Sequence, residues 1–404
     1  MDKYSRNLTC YILGLSVSII GSILFSFSTG LYLLETTKSG MTFALNLSFF
    51  VLPVVLLSPY FGFLVDKYSK KKLILISDFL NGTLMVALYF LWGNGYNTFL
   101  IYLGSILTGV FSNLVAIAFE TGKPDLFENK YLVKINSYSV IINNFSTILG
   151  PVFAGIIYSF FDLKIFILLN GFSFFLSFLF EAFLIFKSKG KSEEEKHETS
   201  IKILFSDKVL LKKIILLLLF NISATLIFQV SIPYILNINF NIKKELYGII
   251  QSFLPIGMIC GAFITNFFKF KFNNNFIEKS FSMLGVLGLV SFLPIFIKNN
   301  SSIIFIYGFV LFFLGIIGSS IDILIFSYFQ ETLNDSIRGK IIGTFISLMK
   351  IVVFLTIILS GKIVDSYSPY INFFLSLTIS IIALLYLKIS KIFFNYKKKS
   401  IENG

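Results

Sequence analysis

Charge is scarce in this 404-residue chain: 14% of its residues are charged and 56% are apolar. A soluble domain of that size could not present such a composition to water, so a soluble fold is excluded. Cysteine is nearly absent. Cys10 and Cys260 stand far apart in apolar segments without CxxC spacing, which leaves neither a disulfide framework nor a thiolate metal site. The only histidine, His197, lies in a run of Glu and Lys and reads as a solvated linker residue, so no metal centre or other cofactor is expected. Gly190-Lys191-Ser192 spell the end of a phosphate-binding loop, but Ile185 stands where its first glycine belongs and no strand precedes it. ATP hydrolysis is therefore not expected, and neither is any other enzymatic activity.

What the chain does have is a succession of apolar runs of roughly 20 residues, each long enough to cross about 30 Å of hydrocarbon. The runs predict twelve spans, near 10–33, 42–65, 73–92, 98–119, 136–158, 164–186, 213–236, 246–268, 279–297, 302–328, 341–364 and 370–391. The fold class is thus an all-α membrane protein in the lipid bilayer. Residues 1–186 form a first six-helix half, 187–212 a charged linker, 213–392 a second half and 393–404 a basic tail. The formal net charge of +13 is dispersed over short loops, which argues against nucleic acid as a partner. Most lysines fall on one side if both termini are cytoplasmic, the orientation that the positive-inside rule selects. Trp92, Tyr96 and Tyr370 mark the opposite interface as aromatic anchors. The apolar stretch after Asn7 is too long for a signal-peptide core and reads as an uncleaved first helix. Few arginines among many Lys, Phe, Ile and Asn residues suggest an AT-rich bacterial genome, hence a multi-pass protein of the bacterial cytoplasmic membrane.

The two halves correspond internally. A common offset of 206 residues separates Lys134 from Lys340 and Gly155 from Gly361 (340 less 134, 361 less 155). Parallel repeats of this kind characterise one large class of transporter architecture.

Two motifs carry the most information. Between spans two and three, Gly62 is followed by Asp66, Lys67, Lys70, Lys71 and Lys72 in a tight turn. The glycine is expected to permit close helix approach, Asp66 to accept hydrogen bonds or face a helix N-terminus, and the lysines to act as a diffuse charge that pairs with acids on the other half. In span five, Gly150-Pro151 and Gly155 combine a proline kink with small residues that admit a neighbouring helix. The first segment resembles motif A of the major facilitator superfamily, and the second resembles the antiporter motif of that family's exporters, with Ala154 in place of one glycine. Pro124-Asp125-Leu126 with Leu132 and Asn136, and Gln330, Asp335 and Arg338-Gly339-Lys340, narrow the likeness to the macrolide-efflux and siderophore-export branch. The resemblance implies a twelve-helix transporter of two parallel repeats that exports amphipathic small molecules by alternating access, with protons as a candidate coupling ion. Span four contains no arginine, so the basic residue of proton-coupled relatives is missing. Two rivals remain: import or facilitated passage of a metabolite, and ligand binding without transport.

Ionisable residues at membrane depth are functional candidates by default. Asp322 in span ten and Lys350 in span eleven lie at similar depths and are candidates for coupling or for an ion pair, with snorkelling as the alternative for the lysine. Glu35, Glu120 and Glu181 fall at span ends, where interfacial solvation is expected. Asn113, Asn144, Gln229 and Gln251 are candidate cavity donors in a Phe-rich wall suited to a small-molecule substrate, or else helix-to-helix hydrogen-bonding groups.

Overall fold

The structure, a computed structural model, describes residues 3–93, 95, 97–128, 131–187, 208–268, 274–297, 299–332 and 335–402; within these helices some side chains are also undescribed. His197, the Gly190-Lys191-Ser192 segment, Tyr96 and most of the charged linker lie outside the described residues. Twelve helices among the described residues are long and apolar enough to cross a membrane. In order they are α1 (Lys3–Thr37), α2 (Gly40–Lys67), α3 (Lys70–Leu91), α4 (Asn97–Leu126), α5 (Leu132–Phe160) and α6 (Leu163–Ala182). They continue with α7 (Lys208–Thr225), α8 (Lys244–Phe267), α9 (Asn274–Val290), α10 (Asn300–Thr332), α11 (Asp335–Ser366) and α12 (Pro369–Glu402). The described chain contains no strand, as expected where every backbone polar group must be satisfied within its own segment.

The boundaries differ from the hydropathy reading where local chemistry intervenes. Span nine ends early: α9 stops at Val290 and the chain passes into a 3₁₀ turn, Leu293–Ile295, because Pro294 has no N–H to continue the α-helical ladder. The helical path of α7 runs on through π-helical turns at Leu226–Ser231 and Ile235–Asn239, which flank Pro233. Near that proline, side chains add bonds to the backbone: Asn237 Nδ2 donates to the carbonyl of Pro233 at 2.8 Å, and the Ser231 hydroxyl to that of Leu226 at 3.0 Å. The last helix runs through Glu402, so the basic segment after 392 continues it to that point.

The chain divides into two compact units. Unit 1 comprises Met1–Lys196 and Asn241–Ser252; unit 2 comprises His197–Phe240 and Phe253–Gly404. The first turns of α8 therefore belong with α1–α6. Lipid tails are as apolar as the helix faces, so helices associate through close packing and buried hydrogen bonds instead of the hydrophobic effect. In unit 1 this shows where α1 meets α6 and α2 meets α4. A Cβ added to Gly21 would collide with Ser173, and one added to Gly109 with the backbone carbonyl of Phe50. In unit 2, Gly257 and Gly261 of α8 are pressed against the backbone of α10 at Phe312 and Ile316. A buried knot ties α12 to α11 and to the π-helical turn: Asn372 Nδ2 lies 2.8 Å from both Ser231 Oγ and Ser360 Oγ.

Candidate functional site

The turn between α2 and α3 sits at the end of unit 1 where α4 and α6 also finish. Lys70, the first residue of α3, is buried; its ammonium donates to Asp125 Oδ2 at 2.6 Å and to the carbonyl of Thr121 at 3.0 Å, both on the last turns of α4. Lys71 donates to the carbonyls of Ala182 and Leu184 at 2.7 and 2.8 Å. These carbonyls lie at and just beyond the end of α6, where the helix leaves acceptors without intrahelical partners and a cation is favoured by the helix dipole. Asn7 of α1 completes the clasp. Its amide donates to the carbonyls of Leu126 and Ile185 at 3.0 and 3.1 Å, and its oxygen accepts from Ile185 N–H at 2.9 Å. These two motif lysines thus hold α4 and α6 of their own unit through directed bonds, where the sequence reading expected a diffuse charge paired with the other half. Lys67 is exposed and lies over the rings of Phe63 and Tyr68. Gly62 also differs from expectation: no described atom lies within 4 Å of the position its Cβ would take, so no described helix packs against it. Asp66 lies on the last turn of α2, and its side chain is outside the described atoms.

In α5, the Gly150 to Gly155 segment is packed on two sides. A Cβ on Gly150 would strike Ile23 of α1, and one on Gly155 would strike the carbonyl of Lys244 at the start of α8. The contact is mutual, since Gly248 faces the Pro151 carbonyl just as closely. Lys244 is further held by Glu35 at 3.2 Å, a half-exposed pair near the opposite end of α1.

A cavity of about 380 Å³ opens within unit 1. One face of α1 supplies much of its wall, with Leu15, Ser18, Ile19, Ser22, Ile23 and Ser26 at helical spacing, so hydroxyls alternate with aliphatic side chains. Phe50, Phe119 and Phe174 add aromatic surface from α2, α4 and α6, and Asn143 of α5 adds an amide. Tyr11 closes one side. Its O–H donates to Ser139 Oγ at 2.8 Å, because the Ser139 hydroxyl is itself committed to the carbonyl of Ile135. Among the described residues no lysine or arginine lines the cavity, whereas Asp78 and Glu120 do. Glu120 pairs with Lys123 at 2.6 Å and keeps most of its surface exposed, in keeping with a span-end acid.

Asp78 was overlooked in the sequence reading and Glu181 was misplaced by it. Asp78 of α3 is 2% exposed and Glu181 of α6 is 1% exposed. The two carboxyl groups lie within hydrogen-bonding reach of each other. Glu181 Oε1 accepts from the Ser177 hydroxyl at 3.0 Å, while Glu181 Oε2 and Asp78 Oδ2 have no hydrogen-bond partner among the described residues. The expected interfacial solvation of Glu181 fails because its stem packs on Gly14 of α1, where a missing side chain leaves room for the acid inside the bundle. The signal for Asp78 was available: an acid well inside a predicted span, the criterion that selected Asp322.

The other candidates are dispersed. Asn113 donates to Ser58 Oγ at 3.0 Å and bridges α4 to α2. Asn144 is exposed, and its neighbour Asn143 faces the cavity instead. Gln251 lies near Tyr247 at the start of α8, and Gln229 in the π-helical turn of unit 2. Asp322 and Lys350 are both exposed on their helices in unit 2, and no ion pair joins them among the described residues.

Comparison with known proteins agrees with this architecture. The family model described as Major Facilitator Superfamily matches residues 10–355, most of the chain. Macrolide efflux protein A of Streptococcus pyogenes is 27% identical over 175 residues, which is 41% of this chain and 42% of that protein. The match to that curated relative therefore spans about two fifths of its length. Among solved structures, the nucleoside transporter NupG superposes with a TM-score of 0.74 at 15% identity, covering 96% of this chain and 99% of NupG. A D-xylose-proton symporter gives a TM-score of 0.68 at 11% identity, covering 94% and 96%. At such identities the likeness establishes the fold. With its family model matched over most of its length, the chain belongs to the major facilitator superfamily and is a multi-pass membrane protein with the fold of that family.

Proposed function

We propose that this transporter exports amphipathic small molecules across the bacterial cytoplasmic membrane by alternating access, with both termini and the α2–α3 turn on the cytoplasmic side. The observation that carries the reading is the unit 1 cavity, whose aromatic and aliphatic wall is interrupted by serine hydroxyls and the buried acid Asp78. Such a surface suits a ligand that is mostly apolar and carries few polar groups. The partial likeness to a macrolide efflux protein supports the same direction and class. The clasp formed by Asn7, Lys70, Lys71 and Asp125 ties together the ends of α1, α3, α4 and α6, four of the helices that line the cavity.

The test is a transport panel in liposomes of known orientation, with and without an imposed proton gradient. Export predicts that inside-out vesicles accumulate an amphipathic substrate and that cells carrying the protein hold less of it. Accumulation by cells instead would establish import, and saturable binding without movement across liposomes would establish a ligand-binding protein.

A further inference from the structure

The clasp at the end of unit 1 is made of protein alone, with Lys70 and Lys71 opening α3 and meeting Asp125 and helix-end carbonyls. Unit 2 has no such lysine pair at the matching place, since α9 opens on Asn274-Asn275-Phe276-Ile277. Cations stand instead where α7 begins and α12 leaves its span. The Lys212 ammonium lies 5.0 Å from the ring centroid of Tyr386 on α12, and that of Lys213 lies 3.4 Å from the ring centroid of Tyr328 on α10. A ring face attracts the charge but offers no oxygen to the three N–H donors of Lys212. No acid pairs with Lys212 among the described residues, and the half-exposed Tyr386 hydroxyl makes no hydrogen bond there. Lys388 is exposed on the other side of the buried Leu387, and the sequence of α12 continues with Lys391 and Lys397 to Lys399. The spans of α7 and α12 start at Leu211 and end at Ile389, which puts Lys212, Tyr386 and Lys388 at the level of lipid headgroups. About one turn deeper on the same two faces lie Ile215 and Ile382, both exposed.

We propose that this end of unit 2 docks one anionic glycerophospholipid between α7 and α12. Its phosphate accepts from the Lys212 ammonium and the Tyr386 hydroxyl, Lys388 adds to the local positive field, and an acyl chain lies along Ile215 and Ile382. The bound phosphate then links α7 to α12, the part that Asp125 and the helix-end carbonyls play in unit 1. A zwitterionic lipid fits less well, because the cation of its own headgroup already compensates its phosphate. The site does not depend on the direction of transport or on the unit 1 cavity.

The experiment titrates dioleoylphosphatidylglycerol into the full chain purified in dodecyl maltoside and counts bound lipid by native mass spectrometry. Dioleoylphosphatidylcholine is the zwitterionic counterpart and glycerol phosphate the free anion. Wild type should hold the first phosphatidylglycerol at least about fivefold more tightly than phosphatidylcholine, and glycerol phosphate at the lipid's concentration should not displace it. Lys212→Gln, checked for folding by its thermal transition, should weaken phosphatidylglycerol about fivefold and leave phosphatidylcholine unchanged, while Lys212→Arg keeps the preference. Lys212→Gln combined with Lys388→Gln should abolish it. Lys362→Gln, which removes an exposed lysine from the opposite end of unit 2, should have no effect. No preference in wild type, an undiminished preference in folded Lys212→Gln, or an equal loss in Lys362→Gln would each overturn the proposal. Displacement by glycerol phosphate would also overturn it, since the site would then take a free anion.

Discussion

Replacing Asp125 tests whether the motif lysines act as directed clasps or as a loose positive belt. The Lys70 and Asp125 side chains are 8% and 11% exposed and meet at 2.6 Å, with the Thr121 carbonyl taking a further bond from the same ammonium. Removing one partner of a buried pair usually costs about 3–5 kcal/mol. Lys70 keeps the Thr121 carbonyl and a further contact, so Asp125→Ala should fall at the lower end of that range. Asp125→Asn, whose amide oxygen still accepts from Lys70, should lose only the charge-assisted part, about 1.5–3 kcal/mol. The double variant Lys70→Met, Asp125→Leu removes both charges of the pair and should recover part of the Asp125→Ala loss, giving a measurable coupling energy in a double-mutant cycle. Lys72, exposed beside them, is the control: Lys72→Ala should stay within about 0.5 kcal/mol of wild type. The assay is equilibrium unfolding in mixed detergent followed by fluorescence. If Asp125→Ala is no more damaging than Lys72→Ala, the pair contributes nothing and the diffuse-charge reading returns.

Gly155→Leu drives a side chain into the Lys244 carbonyl and should abolish most transport, whereas Phe153→Leu, half-exposed, should be mild; equal effects in vesicle uptake would remove the close contact from the mechanism. Lys71→Met should cost roughly 1 kcal/mol through loss of the bonds at the end of α6, and Lys71→Arg should restore part of it, both read by the same unfolding assay. Asp322→Asn and Lys350→Met, exposed and not paired with each other among the described residues, should be additive within about 0.5 kcal/mol in a double cycle; a strong coupling would mean that they meet in another conformation. Asp66→Asn should insert normally and lower transport, and wild-type uptake by a properly folded variant would end its proposed gating role.

What the sequence determined by itself is what the bilayer demands of every segment separately. Length and apolarity of a span are local properties, so twelve helices and the short turn at 67–70 were legible without any contact being known. Even there, proline chemistry at Pro294 and around Pro233 shifted boundaries that hydropathy alone does not see. The motif turn was legible as a set of residue types at fixed spacing, but the partners were not: Asp125 lies 55 residues from Lys70, and the Leu184 carbonyl 113 from Lys71. Gly62 and Gly155 look alike in sequence, yet one faces open space and the other a backbone carbonyl, because which face of a helix meets a neighbour is set by packing. The acid pair shows the limit most clearly. Asp78 and Glu181 come from different helices, and the room that keeps Glu181 inside the bundle is a missing side chain at Gly14 on a third. Burial of a charge depends on which side chains converge around it, and that convergence exists only once the helices have packed.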